Sequence, residues 1–241
     1  GELFDRSLSE GFKALDQQQV ATALSAFELA AAMRPNNETA KQGLNRASTL
    51  EQVIIHLENA NNLEQQQQLN EAKQVIEQAL TLDAESKAAQ AQLTHIKMAI
   101  NERDYARVMG QGFDQLYQKQ LSSAIQAFQQ ALALKPEDKA AQQALTQAQN
   151  QKTQTTIKQL LHSASEAESQ EAWNKASERY QSALALDKSL INARVGGIRS
   201  QARLSLDQAL EETTKSPLRL ADPQALTQAK RLLDDALSVK P

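Results

Sequence analysis

The sequence predicts an all-α repeat protein in which long and short helices alternate, and three observations lead to this fold class. Glycine and proline are scarce, with 7 and 5 residues among 241, whereas Ala, Leu, Gln, Glu and Lys dominate, as is typical of helices. One amphipathic fifteen-residue pattern occurs five times along the chain. Neither Ser86–Met109 nor Glu137–Glu171 contains glycine or proline, so each stretch is expected to form a continuous helix.

The clearest copy of the pattern is SSAIQAFQQALALKP, residues 122–136. Its apolar side chains recur at helical spacing and form one stripe: Ala124, Ile125, Phe128, Ala131, Leu132 and Leu134. Ser122 is the predicted N-cap, because its hydroxyl can accept a hydrogen bond from an otherwise unpaired backbone N–H. Pro136 ends the helix, since it cannot continue helical hydrogen bonding and restricts Lys135.

The remaining copies place a large side chain between two small ones. They are Ala23, Phe27, Ala30, Met33 and Pro35; Ala72, Ile76, Ala79, Leu80, Leu82 and Asp83; Ala176, Tyr180, Ala183, Leu184, Leu186 and Asp187; and Ala229, Leu233, Ala236, Leu237, Val239 and Pro241. The first alanines of successive copies lie 49, 52, 52 and 53 residues apart. One array over residues 1–241 is therefore predicted, with units at about 4–36, 37–84, 85–136, 137–188 and 189–241.

A small residue also lies twelve positions before the first alanine of each of the first four copies, at Gly11, Ala60, Gly112 and Ala164. This combination of small residue, paired alanines, intervening large residue and terminal proline resembles the tetratricopeptide repeat family. The resemblance covers nearly the whole chain and implies a right-handed solenoid of helix pairs. The family's tryptophan near the start of its first helix is missing, and a bulky residue stands there instead: Phe4, Val53, Tyr105 and Ile157.

The spacing of the copies departs from the family, whose period is about 34 residues. Each unit here carries roughly 15–19 further residues, and eighteen residues make about five helical turns. A first helix lengthened by this amount keeps its apolar stripe on one face. We expect uninterrupted helices from about Ser86 to Tyr117 and from about Asp138 to Gln170; the alternative is an additional short helix in each unit.

Cap residues indicate where several helices start, and two glycines indicate where helices cross closely. Asn70, Ser122 and Asn174 occupy the same position in three units and are the predicted N-caps of the short helices. Asp222 followed by Pro223 predicts the start of the last short helix. Gly196 and Gly197 fall inside the fourth long helix, where a close helix crossing is favoured over a functional hinge.

Composition excludes several function classes. The formal charge of −3 argues against a nucleic-acid or anionic-membrane surface, and no apolar run reaches the length of a transmembrane helix. Without cysteine there is no thiol nucleophile or disulfide framework. Gly110–Gly112 lacks the remaining features of a phosphate loop. We expect no enzyme, cofactor or metal site: the histidines lie far apart at His56, His95 and His162, and the carboxylate pairs Glu166/Glu168 and Asp234/Asp235 are expected on solvated faces.

The resemblance also implies where a partner would bind. The first helices of the family line the inner wall of the superhelix, which corresponds here to Leu8 and Phe12, Leu57 and Asn61, Met109 and Phe113, and Leu161 and Ser165. Family members that bind a partner's C-terminal carboxylate use Lys, Asn and Arg at these positions. Only Asn61 matches them here, and the wall is otherwise rather apolar. Its predicted partner-binding residues are Leu57, Asn61, Met109, Phe113, Tyr117 and Leu161. Burial of these residues against neighbouring repeats is the alternative.

The predicted function is a non-enzymatic scaffold that docks a peptide or partner protein on the concave helical face. A structural spacer or self-assembling arm is one alternative, and a regulatory segment of a larger protein is another. Because the chain starts at Gly1 and lacks a polar helix after Pro241, we expect it to be part of a longer chain. Arrays of this kind in bacterial chains often follow a membrane anchor, which favours the cell envelope over the cytoplasm.

Overall fold

The computed structural model of the chain describes residues 1–215 and 221–238. Regular structure in this part is helical throughout, as the composition predicts, and consecutive helices pack on one another. The helices are α1 (Glu2–Asp16), α2 (Val20–Met33), α3 (Glu38–Gln65), α4 (Leu69–Leu82), α5 (Lys87–Tyr117), α6 (Leu121–Leu134), α7 (Lys139–Ser169), α8 (Trp173–Leu186), α9 (Ile191–Thr214) and α10 (Pro223–Ser238).

Two of these helices test the predicted lengthening directly. α5 and α7 each run for 31 residues without a break. At 1.5 Å per residue each is about 46 Å long. The prediction of uninterrupted helices over these two stretches is confirmed, and an inserted short helix is excluded from both.

The short helices begin earlier than predicted, and the N-cap assignments of Asn70, Ser122 and Asn174 are wrong. α4, α6 and α8 start at the apolar residue before each of them, so all three lie inside the first turn. α4 and α8 follow Gln68 and Ala172, neither of which forms a side-chain cap. Asn174 Nδ2 donates instead to Glu178 Oε1 at 3.1 Å.

The turn before each of the first four short helices explains this offset. One residue of each turn has a positive φ near 60°, at the same repeat position every time: Gln18, Gln67, Lys119 and Glu171. The next residue donates its N–H five residues back, as Gln19 does to Ala14 at 2.9 Å and Ala172 to Ala167 at 2.8 Å. These bonds close the preceding helix and hold the chain so that the next helix starts at once.

Side-chain caps occur at the starts of other helices. Asn37 accepts from the N–H of Ala40 at 2.9 Å, and Asp138 accepts from Ala141 at 2.7 Å. These residues are the N-caps of α3 and α7. Asp222 accepts from Gln224 at 3.0 Å, and Pro223 is the first residue of α10, as predicted.

The chain divides into two compact units. Unit 1 comprises Gly1–Gly110 and Gln130–Pro136, and unit 2 comprises Gln111–Gln129 and Glu137–Pro241. The predicted single array of five repeats stays a prediction. Part of its fifth copy, including Val239 and Pro241, lies outside the described residues.

The core of unit 1 is built where small residues meet a large one. Phe27 of α2 is fully buried, and its ring lies so close to Gly11 on α1 and Gly43 on α3 that neither position has room for a Cβ. Leu15 and Ala47 belong to the same apolar cluster. In the next repeat of unit 1, Ile76 takes the central place among Val53, Leu57, Ala60 and Ile96. These contacts set the close crossing of consecutive helices.

Unit 2 repeats this arrangement with a tyrosine. Tyr180 of α8 packs against Ala164 of α7 and Ala193 of α9, and its ring lies against Gly196 with no room for a Cβ. The predicted close helix crossing at Gly196 is confirmed. Gly197 has only ordinary contact with Tyr180. Phe128 of α6 occupies the equivalent place beside Gly112.

Candidate functional site

Three of the predicted partner-binding residues lie in unit 1. Leu57 and Met109 are 7% and 8% exposed, and Leu57 belongs to the apolar cluster around Ile76. Asn61 is exposed, but its Oδ1 accepts a hydrogen bond from Gln92 Nε2 at 2.6 Å. In this unit the predicted wall therefore offers a partner little apolar surface.

The other three lie in unit 2 and are more accessible. Phe113 is 49% exposed and Tyr117 is 90% exposed, one turn apart near the end of α5. Phe113 packs edge-on against Phe128, with ring centroids 5.2 Å apart and planes at 66°. This contact fixes the Phe113 ring while leaving half of it accessible to solvent. Leu161 is partly buried against the cluster around Tyr180.

The aromatic pair at the end of α5 is particular to that helix. The equivalent residues of α3 are Asn61 and Gln65, and those of α7 are Ser165 and Ser169. In α1 the equivalent residues are Phe12 and Asp16, and Phe12 packs edge-on against Phe27 with ring centroids 5.0 Å apart. The position of Phe113 therefore serves helix packing in two repeats, whereas an aromatic residue at the position of Tyr117 is not required by packing. The pair is a candidate binding surface that the sequence pattern already indicated.

Unit 2 contains a groove along α7 and another at the start of α9. The larger, of about 1000 Å³, follows the first half of α7 and is lined by amide and hydroxyl side chains, such as Gln143 and Thr146, and by Lys119, Lys139 and Lys158. The smaller, of about 360 Å³, lies between Leu161 of α7, Tyr180 of α8 and the start of α9. Both grooves present polar and apolar surface, so neither one selects a ligand class by itself.

A buried polar cluster joins α7, α8 and α9, and it corrects the expectation that Glu168 is solvated. Glu168 is buried, and its carboxylate accepts four hydrogen bonds. Oε1 accepts from Arg199 Nε and from Ser200 Oγ, both at 3.0 Å, and Oε2 accepts from Tyr180 Oη at 3.1 Å and from Arg199 Nη2 at 2.5 Å. Its neighbour Glu166 is exposed, as are Asp234 and Asp235.

The electrostatics of this cluster follow from burial and from the charge of Glu168. Burial raises the pKa of the Tyr180 hydroxyl, and the adjacent Glu168 carboxylate raises it further. The hydrogen bonds to Glu168 raise the pKa of Arg199. Because both carboxylate oxygens of Glu168 accept from donors on α8 and α9, we interpret the cluster as a structural network that holds three helices together.

The three histidines of the chain each lie beside a different partner. His95 Nδ1 lies 2.9 Å from Glu64 Oε1 and His162 Nε2 lies 3.3 Å from Glu166 Oε1, both on exposed surface. His56 Nδ1 lies 2.6 Å from the carbonyl oxygen of Gln52. Residues 1–215 and 221–238 contain no group of three or more side chains placed to hold a metal ion. No helix among them combines the length and apolar character needed to span a membrane.

Comparison with known proteins adds no assignment. No protein-family model matches the chain, and no curated protein is significantly similar to it in sequence.

Proposed function

We propose that this chain is a non-enzymatic scaffold for protein–protein interaction, built as a right-handed tetratricopeptide-like solenoid with long first helices alternating with short second helices. The observation that carries the proposal is the aromatic pair at the end of α5. Phe113 and Tyr117 stand one helical turn apart, so both contribute to one surface. Aromatic side chains are enriched among the residues that contribute most to binding energy.

The support from Phe113 lies in its fixed geometry. Its ring already packs on Phe128, so little conformational entropy is lost when a partner covers the exposed half. Tyr117 contributes an apolar ring whose hydroxyl can be hydrated in the free protein. Such a side chain suits a surface that is exposed to water until a partner binds. A partner segment with an apolar face is the natural ligand for such a surface.

A structural spacer is the second candidate function, because a separate observation favours it. Leu57 and Met109, which the family resemblance places on the inner wall, are buried in unit 1. A wall whose apolar residues are used for internal packing can hold flanking domains apart without binding a peptide. A regulatory segment of a larger protein is the further alternative from the sequence, and the flanking chain decides it.

Crosslinking and pull-down from an extract of the source cells test the scaffold proposal. The wild-type chain is compared with a Phe113→Asp, Tyr117→Asp variant. Ser165→Asp, Ser169→Asp is the matched control, since it places the same two charges at the equivalent exposed positions of α7. We expect the first variant to lose a partner that both wild type and control retain, with unchanged helicity by circular dichroism.

Two outcomes contradict the proposed surface. Retention of every partner by the folded Phe113→Asp, Tyr117→Asp variant places the contact elsewhere and favours the spacer. If that variant unfolds, Tyr117→Asp alone provides the test, because Tyr117 is almost fully exposed and a charge there leaves the core intact. An unchanged partner set for this single variant then excludes Tyr117 from the interface.

A further inference from the structure

A second exposed apolar surface lies on the first half of α9 in unit 2. Ile191, Val195 and Ile198 are 72%, 53% and 65% exposed. Their spacing of i, i+4 and i+7 places them on one side of the helix, and we call them the α9 stripe. Three adjacent branched aliphatic side chains held in water are unfavourable unless another surface covers them.

The first half of α7 shows that the fold does not require this stripe. The equivalent positions, 52 residues earlier, carry Lys139, Gln143 and Thr146. Both helices bury an alanine at the same offset, Ala141 in α7 and Ala193 in α9. The α9 stripe and the equivalent face of α7 are therefore turned away from the buried side of each helix by the same angle. Of the two faces, the one on α9 is apolar and the one on α7 is polar.

A groove lies beside the middle of the stripe. Val195 borders the groove of about 360 Å³ together with Leu161, Tyr180 and Gly196. A side chain from another protein can enter such a groove beside the stripe, whereas a flat lipid surface cannot follow it. This geometry favours a protein partner over a membrane.

The charge around the stripe is positive, although the whole chain has a formal charge of −3. From Lys188 to Leu206 there are four basic residues and no acidic one: Lys188, Arg194, Arg199 and Arg203. Arg194 directly precedes Val195 and Arg199 directly follows Ile198, so the two arginines border the stripe on opposite sides. Arg199 is neutralised by Glu168 at 2.5 Å, and Arg203 lies over the Trp173 ring at 5.5 Å.

Arg194 and Lys188 are the exposed cations available to a partner, and Arg194 is the one that borders the stripe. It is exposed, and its Nη2 donates to the carbonyl oxygen of Lys188 at 2.8 Å. Within residues 1–215 and 221–238 no carboxylate forms an ion pair with it. Its charge is thus held at the border of the stripe without being neutralised, which favours a partner that brings a carboxylate to this edge.

We infer that the α9 stripe docks an amphipathic helix of a partner protein, with the helix's apolar face on Ile191, Val195 and Ile198 and carboxylates along its border facing Arg194. A helix is the fitting ligand because the backbone groups of α9 are paired within the helix and offer no edge for strand addition. Side-chain ridges at i and i+4 accept the ridges of another helix. This surface is separate from Phe113 and Tyr117, so the two proposals can fail independently.

Peptide binding measured by fluorescence anisotropy tests the inference. The probe is a synthetic helical peptide of about five turns, with leucines on one face and glutamates along both borders. Its twin carries lysine at each glutamate. We expect the glutamate peptide to bind wild type at least about tenfold more tightly than the twin. Its affinity should fall as salt is raised from about 0.05 to 0.3 M.

Two variants that borrow residues from α7 locate the contact. Ile191→Lys, Val195→Gln, Ile198→Thr installs the side chains of the equivalent α7 face, so the fold is expected to persist; binding of the glutamate peptide should weaken about tenfold or more. Arg194→Gln, which matches Gln142 of α7, should weaken it about threefold and reduce the salt dependence.

Several results overturn the inference. Equal binding of both peptides removes the charge selectivity, and unchanged affinity in the triple variant places the peptide elsewhere. Binding of phosphatidylserine-containing vesicles that the triple variant abolishes, without peptide binding, assigns the stripe to lipid. If wild type self-associates by light scattering, the triple variant is monomeric and neither peptide binds, the stripe joins two copies of this chain.

Discussion

The first and fourth repeats solve the same packing problem with opposite chemistry. Positions 153 residues apart are equivalent, and Phe27, Leu15 and Ala47 in unit 1 correspond to Tyr180, Glu168 and Ser200 in unit 2. All six side chains are buried. The residues of unit 1 form an apolar cluster. In unit 2, Tyr180 and Ser200 donate hydrogen bonds to the Glu168 carboxylate. The helix crossing is thus compatible with either core, provided that its members match one another.

The arginine beside each set shows how the difference is accommodated. Arg46 and Arg199 are equivalent residues. In unit 1, where position 15 is leucine, Arg46 turns to Asp83 at 2.9 Å and Glu85 at 2.8 Å. In unit 2, Arg199 pairs with Glu168. Two repeats can therefore carry the same residue at equivalent positions and still form different ion pairs, because the neighbouring residues decide which carboxylate a long arginine side chain reaches.

Removing the carboxylate should have the largest effect on this comparison. Glu168→Leu leaves Arg199 and the hydroxyls of Tyr180 and Ser200 without their acceptor. We expect a loss of about 3 kcal/mol in the free energy of unfolding, since a quarter of the Arg199 side chain is exposed. Urea denaturation followed by circular dichroism measures it. Glu166→Leu on the exposed side of α7 is the control and should change stability by less than about 0.5 kcal/mol; similar losses in both variants contradict the network.

Adding a methyl group at the crossings should have the next largest effect, and a similar one in both repeats. Gly43→Ala and Gly196→Ala place a Cβ into the rings of Phe27 and Tyr180, and each should cost about 1–3 kcal/mol. Gly110→Ala is the matched control, because its Cβ meets no atom within 4 Å, and it should stabilise α5 by about 0.5–1 kcal/mol. Thermal melting midpoints separate these outcomes; destabilisation by all three would show that helix bending, not crowding, is responsible.

Converting the fourth repeat to the first should have a smaller effect than removing its carboxylate alone. The variant Glu168→Leu, Tyr180→Phe, Ser200→Ala replaces the polar set with the residues of unit 1. Because no buried hydroxyl is then left unpaired and Arg199 can extend into solvent, we expect stability within about 1 kcal/mol of wild type. A loss equal to or greater than that of Glu168→Leu would show that the surroundings of the two sets differ more than their burial indicates.

The smallest expected effect is a pH dependence confined to the fourth repeat. The pKa of Tyr180 is raised by burial and by Glu168, so the unfolded chain loses this proton first as pH rises. The free energy of unfolding should therefore be unaffected by Tyr180 at neutral pH and should decrease above the ordinary tyrosine pKa of about 10. Urea midpoints measured across this range should decrease less in Tyr180→Phe than in wild type; identical slopes would contradict the raised pKa.

Much of the helical architecture could be read from the sequence because periodicity reports burial directly. The buried alanines and large residues of the first four short helices, the long α5 and α7, and the glycine crossing at Gly196 all follow from spacing. The fifth copy does not follow the pattern, because Leu233 in α10 is 49% exposed. The caps could not be read in this way. Asn70, Ser122 and Asn174 are good cap residues, but backbone bonds closing each preceding turn start the helix before them.

Glu168 was missed for a different reason. A glutamate next to exposed polar residues reads as surface, and the three donors that stabilise it come from residues 12 to 32 positions away. Leu15 at the equivalent position would have marked it as a core position. The α9 stripe was likewise hidden, because periodicity cannot distinguish an apolar face that is buried from one that is left exposed.

The buried carboxylate of α7 also bears on how the chain reaches its correct fold. Helices that share one pattern can dock on the wrong neighbour during folding or exchange between chains, since their apolar faces are alike. A helix carrying Glu168 that docks on α2 meets Phe27, which has no hydroxyl to donate, and the carboxylate is then buried without its donors. We expect this mismatch to disfavour misassembled and domain-swapped forms, so that one polar cluster limits which helices can pair in a repetitive chain.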